Sequence, residues 1–246
     1  MTSYRHDRVV PYDDSRLSKT AQVASMFDDI ASRYDFLNRF LSGGIDLWWR
    51  KKAIRELRGC ARGHFLDVAT GTGDMAVMTY RRLAPRQITG IDISEGMLEL
   101  GRRKIERQQL TGHITLSPGD SGHIPFPDDS FDAATVAFGV RNFEYLDQGL
   151  AEIRRVLRPG GKLVVLEFSQ PKGLTGKLYR WYMRRICPLL VSLVSRNRKA
   201  YLYLGDSIQA FPEGDRFVSV LDKVGFRETR ARAMTFGICS IYIGLK

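Results

Sequence analysis

The segment Phe65-Leu66-Asp67-Val68-Ala69-Thr70-Gly71-Thr72-Gly73-Asp74 constrains the fold of this chain more than any other. A short apolar run entering a turn of small residues marks a buried strand handing over to a helix, with a backbone that a ligand can approach closely. Gly90-Ile91-Asp92-Ile93-Ser94 then gives a second strand-like run ending in a carboxylate, nineteen residues after Gly73. In a sheet wound by right-handed crossovers that acid stands beyond the strand's carboxyl end, where the hydroxyls of a ribose would donate to it. The pattern predicts a nucleoside site.

A dinucleotide fingerprint would aim a helix N-terminus at a pyrophosphate, whereas Asp74, just after Gly71 and Gly73, would repel one. S-adenosylmethionine has a cationic sulfonium and no phosphate, so an acidic turn suits it. Asp92 could instead cap the helix that starts near Ser94, a role that Ser94 can fill itself. The strand-end position favours the ligand role.

Strand-like and helix-like segments alternate from residue 64 onward. Strands are predicted at 64–69, 87–92, 113–116, 131–138, 162–168, 229–235 and 238–245, and helices at 74–83, 95–108, 151–157 and 215–224. Pro159-Gly160-Gly161 should stop the third of these helices. This alternation predicts an α/β fold with a mostly parallel sheet and helices on both faces. Neither a linker nor an internal repeat divides the 246 residues, so 1–246 is expected to form one domain. Within it, 1–19 is expected to be a flexible tail, 20–58 a helical lid rich in aromatic residues, and 172–212 an insertion facing substrate and membrane.

The formal net charge of +11 calls for an anionic partner or surface. Residues 172–199 hold eight Lys or Arg and no Asp or Glu, interleaved with Tyr179, Trp181, Tyr182 and an apolar run at 186–194. Such a segment fits a solvated helix face, a nucleic-acid surface or an anionic bilayer. The apolar run favours the bilayer over nucleic acid. That run is far short of the ~20 residues a span requires, and residues 1–8 have no apolar core of a signal peptide. The expected location is therefore the cytoplasm, with peripheral attachment to the inner face of the cell membrane. Cys60, Cys187 and Cys239 are scattered, which predicts neither a zinc site nor a disulfide framework.

Two further positions carry chemistry. Asp120-Ser121 follows the third strand, where a carboxylate could accept from an adenine amine or merely close an Asx turn. Phe138-Gly139-Val140-Arg141-Asn142 closes the fourth strand, placing a guanidinium and an amide where they could orient a phenol-like substrate and favour its anion. A surface Arg followed by a helix-capping Asn is the competing reading.

Taken together, these motifs resemble the ubiquinone/menaquinone biosynthesis C-methyltransferases. The resemblance spans nearly all of the chain after its lead. It rests on Phe27-Asp28, Tyr34-Asp35-Phe36-Leu37-Asn38, Leu41 to Asp46 before Trp49-Arg50, the glycine turn, Phe138 to Asn142, Arg155 to Gly161, and Leu166-Glu167-Phe168-Ser169. It implies a Rossmann-like class I methyltransferase with a seven-stranded sheet, using S-adenosylmethionine and no metal. Thr72, Asp92, Asp120 and Ser121, with Gly71 and Gly73, would contact the cofactor, and Tyr34 and Asn38 would face substrate from the lid. Arg141 would favour a phenolate and Asn142 orient the ring. The implied substrate is a polyprenylated quinol, demethylmenaquinol foremost and a benzoquinol as the alternative. No nucleic acid is expected as partner, and a homodimer is compatible with the resemblance. An RNA methyltransferase and a non-catalytic cofactor-binding scaffold remain as rival readings.

Overall fold

The computed structural model describes residues 4–12, 15–60, 62–182, 185 and 198–246. Seven strands form one sheet: β1 (His64–Val68), β2 (Gln87–Asp92), β3 (Ile114–Pro118), β4 (Phe131–Ala137), β5 (Leu157–Phe168), β6 (Arg227–Met234) and β7 (Cys239–Leu245). Their spatial order is β3-β2-β1-β4-β5-β7-β6, parallel from β3 through β5, with β7 antiparallel to both β5 and β6. β1 and β4 are buried almost throughout because helices cover both faces of a parallel sheet. β6 lies at an edge, and its exposed Arg227, Glu228, Arg230 and Arg232 discourage pairing with another chain.

Eight helices are described: α1 (Lys19–Ser42), α2 (Ile45–Arg55), α3 (Asp74–Leu83), α4 (Glu95–Arg107), α5 (Leu146–Val156), α6 (Gly173–Trp181), α7 (Arg198–Ala210) and α8 (Asp215–Val224). One apolar core joins α5 and α8 to the sheet through residues such as Leu150, Ile153, Phe217 and Leu221. The other joins α2, α3 and α4 to the opposite face through Trp49, Ile54, Met75 and Leu98. Strand order reverses between β1 and β4, so a crevice opens at their carboxyl ends.

α1 crosses that end of the sheet. The Ser18 hydroxyl caps it by accepting from Ala21 N at 3.2 Å, and Gly43 and Gly44, both left-handed, turn the chain into α2. The two helices together span 19–55, most of the 20–58 region expected to be helical. The lead differs from the loose tail expected at 1–19. Arg5–Arg8 form a turn of 3-10 helix with His6 fully buried. Lys19 Nζ donates to His6 O at 2.6 Å, and the Tyr4 hydroxyl donates to Asp147 at 2.6 Å. His6 packs edge-on against Phe211, which supplies the apolar cover that holds the lead down.

A second difference lies around Pro159-Gly160-Gly161. The helix starts at Leu146 rather than at 151, and the strand starts at Leu157 rather than 162. Gly160 N donates to Lys246 O at 3.1 Å and Lys246 N to Gly161 O at 2.9 Å, so this turn-forming segment is held by the chain's last residue as an extension of the ladder. The register with β4 shifts there, between Phe131 and Ala133.

Candidate active site

The loops after β1 and β4 meet at the reversal point. Ala69 and Phe138 both adopt left-handed backbone, at φ 53° and 62°, a strain that L-residues accept where a site demands it. A Cβ on Gly139 would lie 2.4 Å from the Ala69 Cβ, so only glycine lets the two loops pass. Beneath them Asp67 is buried and takes the Thr70 and Thr135 hydroxyls, tying the turn to β4, while burial raises its pKa.

Asp92 ends β2 with both oxygens committed to backbone: Gly71 N donates at 2.7 Å and Ser94 N at 2.9 Å. Burial pushes its carboxyl up to about 6 in spite of those donors. Ser94 caps α4 by accepting from Met97 N at 3.2 Å, so the cap does not draw on Asp92. Asp92, Gly71, Gly119, Asp120, Ser121 and Asn142 line one cavity, about 630 Å³ counted out to its mouth. Asp120 Oδ1 accepts from Gly122 N at 2.9 Å, so it closes an Asx turn and lines the cavity at once. Oxygen acceptors on one side and a glycine-lined approach on the other fit a nucleoside with two hydroxyls.

Thr72 and Gly73 are not among that cavity's lining residues. The Thr72 hydroxyl, buried, donates to Asp35 at 2.7 Å, and Lys104 Nζ donates to Thr72 Oγ1 at 3.0 Å, to Asp35 at 2.6 Å and to Asp74 at 2.7 Å. Thr72 shares a separate small pocket with Asp35, Asp74 and Arg50. Gly73 takes φ 75° as the residue before α3. Asp74 is no free anion either, because Arg39 of α1 also pairs with it. Burial alone would raise Asp74, but Lys104, Arg50 and Arg39 together hold it below the usual carboxylate range. The same network reaches Asp46 of α2, which takes Arg39 and the Ser42 hydroxyl. Farther along α1, Asp28 Oδ1 accepts from the Ser94 hydroxyl at 2.6 Å and from Gly96 N at 2.9 Å. Thr20 N donates to Glu144 at 3.0 Å. α1 is thus pinned at three points over the strand ends.

A second cavity, about 1080 Å³ to its mouth, lies on the other side of a wall made by Phe27, Tyr34 and Phe138, which line both. It is chiefly apolar, with Met26, Ile30, Trp49 and Phe168 among its lining residues and the polar groups Tyr34, Asn38, Arg50, Arg141 and Tyr203 set among them. Arg141, 5% exposed, donates from Nη1 to Glu167 Oε1 at 2.7 Å and to Phe138 O at 2.6 Å, while its backbone N–H donates to Glu167 Oε2 at 3.3 Å. Asn142 Oδ1 accepts from the Tyr203 hydroxyl at 3.1 Å. Burial raises the Tyr34 phenol, which is hydrogen-bonded to Asn38 one helical turn on, and raises Tyr203 as well. Arg141 therefore faces the apolar cavity, and Asn142, beside it in sequence, faces the nucleoside-like one.

A model of the ubiE/COQ5 methyltransferase family matches residues 15–246. The chain belongs to that family. A demethylmenaquinone methyltransferase of Bacteroides fragilis is 44% identical over 99% of this chain and 100% of its own length. A ubiquinone/menaquinone biosynthesis C-methyltransferase UbiE of Geobacter sulfurreducens is 47% identical over 93% of this chain and 90% of its own. Among solved structures, a methyltransferase of Thermotoga maritima dependent on S-adenosylmethionine matches with TM-score 0.63 at 18% identity, covering 91% of this chain and 99% of the other. That likeness concerns the fold, a Rossmann-like class I methyltransferase.

Several residues that line or brace these cavities have no role assigned from sequence. Glu167, fully buried, holds Arg141 and also accepts from Phe168 N at 2.9 Å. Its signal was available: a carboxylate ending the apolar run Val164-Val165-Leu166 is as costly as Asp92 at the end of β2 unless it meets donors. Lys104 and Tyr203 give no such signal, since nothing local distinguishes them from ordinary helical residues, and Arg50 enters only as part of the Trp49-Arg50 motif.

Proposed function

We propose that this chain methylates a ring carbon of a polyprenylated quinol with S-adenosylmethionine, converting demethylmenaquinol to menaquinol. One observation carries the reading: a nucleoside-fitting cavity ending in Asp92 and an apolar cavity holding the Arg141–Glu167 pair share a wall of Phe27, Tyr34 and Phe138. The names of the relatives support naphthoquinol as the ring, and the wider name of the Geobacter sulfurreducens relative supports a benzoquinol as the second reading.

Bound in the first cavity, the cofactor supplies an electrophilic methyl group. The chain's own residues do the rest. Asp92 accepts the ribose hydroxyls, Asp120 and Ser121 flank the base, and Gly71 and Gly139 allow the backbone to approach. Arg141, fixed by Glu167, stabilises the phenolate that makes the ring carbon nucleophilic, whereas Asn142, expected from the resemblance to orient the ring, lines the cofactor cavity instead and touches the quinol cavity only through the Tyr203 hydroxyl. Tyr34 and Asn38, on a lid formed by α1 and α2, cover the junction and exclude water. Thr72 supports the cofactor indirectly by anchoring α1 to the glycine turn. The whole chain acts as one methyltransferase domain, with 172–212 facing substrate and membrane.

Residues 183–184 and 186–197, which carry much of the basic and apolar stretch, lie outside the described residues. Among the described residues no helix is long and apolar enough to cross a membrane. Peripheral attachment through 172–199 predicts that the protein floats with anionic vesicles and leaves them in high salt. Equal binding to neutral vesicles would count against it. The reaction itself is tested by anaerobic incubation of the protein and S-adenosylmethionine with chemically reduced demethylmenaquinol and with its benzoquinol counterpart. Mass spectrometry should find one added methyl on the naphthoquinol ring. An unmodified quinol pool, with cofactor bound, would support a scaffold instead.

A further inference from the structure

Among the described residues two guanidiniums line the apolar cavity, Arg141 and Arg50. Arg50 of α2 is 5% exposed, lines the same cavity as Arg141, and lies over the face of Phe138 with its Cζ 5.2 Å from the ring centroid. Arg141 lies over Phe168 in the same way, at 5.5 Å, and the two phenylalanine rings are themselves 4.6 Å apart. Each cation thus covers one ring of a packed pair. In each, the buried Nε has no hydrogen-bond partner among the described residues. Asp46, the nearest carboxylate to Arg50 Nε, stands 3.7 Å away, beyond hydrogen-bond distance, and its oxygens are taken by Arg39 and the Ser42 hydroxyl.

A buried N–H without an acceptor is costly, and an arginine stacked on a ring presents its donors edgewise toward whatever shares that space. An aromatic acceptor with one oxygen would satisfy Arg141 alone. A 1,4-diol has a second oxygen on the far side of its ring, the side that a second cation can reach. We infer that Arg50 is a second substrate-contacting residue, donating to the quinol oxygen opposite the one that Arg141 contacts, so that the site selects para-diols over single phenols. This rests on the quinol reading of the cavity and assigns a residue that the reading leaves without a role. The contact is a hydrogen bond and moves no electrons.

The test compares two reduced probes under anaerobic conditions, 1,4-dihydroxynaphthalene and 1-naphthol, in binding to wild-type protein, Arg50→Gln and Arg50→Lys, with S-adenosylmethionine affinity measured on each. Wild type should prefer the diol, and Arg50→Gln should lose about ten- to a hundred-fold in diol affinity while 1-naphthol affinity and cofactor affinity stay near wild type. Arg50→Lys should recover part of the preference. A structural role, in which Arg50 only packs α2 on Phe138, would weaken both probes equally and would overturn the inference. So would an unchanged diol preference in a folded Arg50→Gln variant. If wild type binds neither probe, the quinol reading fails first, independently of Arg50.

Discussion

The two cavities on either side of Phe138 are built in different ways. The one ending in Asp92 is made of strand ends and short loops, and its polar groups are fixed by backbone: Gly71 N and Ser94 N on Asp92, Gly122 N on Asp120. The one holding Arg141 is assembled from side chains of α1, α2, α7 and the ends of β4 and β5, and its polar groups are fixed by one another. A site built of backbone can serve any acceptor that shares the cofactor. A site built of side chains from distant segments can change its substrate without disturbing the sheet. Substitutions in the first should alter cofactor affinity, and those in the second turnover, substrate choice or stability.

The largest effect is expected where the second cavity is held together. Glu167→Ala would leave Arg141 buried and unpaired, which costs about 3–5 kcal/mol. Chemical denaturation should show that loss, and Glu167→Gln, which keeps one acceptor oxygen but no charge, should show less. A variant as stable as wild type would mean that the pair does not organise this cavity.

Next comes Asp92→Ala, which removes a charged acceptor of two hydroxyls and should weaken S-adenosylmethionine by about 1.5–3 kcal/mol, ten- to a hundred-fold, in calorimetry. The same residue gives the binding a pH dependence. Its folded pKa is raised to about 6, so it carries charge above that pH and is increasingly protonated below. Hydroxyls donate to the charged form, hence affinity should fall as pH drops from about 7 to about 5, and the slope should be absent in Asp92→Ala. For the cofactor-free fold the sign is opposite: a raised carboxyl contributes stability below its unfolded pKa near 3.8, and that contribution is lost as pH rises through about 6.

A smaller effect is expected at the latch between the two regions. Lys104→Met breaks partly exposed pairs to Asp35 and Asp74, worth about 1 kcal/mol after solvent screening. Hydrogen exchange should quicken in α1 near Asp35 while the β1–β4 core stays protected. Uniform quickening would show that α1 does not open separately.

The last effect is confined to the lead. Burial, with Lys19 nearby, pulls His6 down to about 3, so the folded state keeps it neutral while the unfolded chain takes a proton near 6.5. This contribution to stability is complete above pH 6.5 and is lost as pH falls toward 3. Proteolysis within residues 4–12 should therefore quicken at pH 5 relative to pH 7.5, and much less so in His6→Gln.

What the sequence revealed follows the same division. Strand positions, the glycine turn, Asp92 and the Asp120 turn are local patterns, and each lies where its periodicity and turn chemistry put it. The extension of β5 through Gly160 has no local signal, because the partner that holds it, Lys246, is remote in sequence. The buried turn at Arg5–Arg8 has none either, because burial of His6 depends on Phe211. The resemblance implies Thr72 as a cofactor contact, yet its hydroxyl is taken by Asp35 of α1 and Lys104 of α4. Arg141 and Asn142 were legible as candidates. Their division between two cavities was not, since it depends on Glu167 and Tyr203.

The most direct test of the account is single-turnover methyl transfer to reduced demethylmenaquinol, with S-adenosylmethionine and quinol both saturating, for wild type, Asp92→Ala and Arg141→Ala. Asp92→Ala should approach the wild-type rate once its weaker cofactor binding is overcome. Arg141→Ala should stay about 10²–10³-fold slower at every concentration with cofactor affinity intact, because its contribution is made in the transition state. An Arg141→Ala protein that turns over at the wild-type rate would contradict the account and leave Arg141 as a residue that merely closes β4.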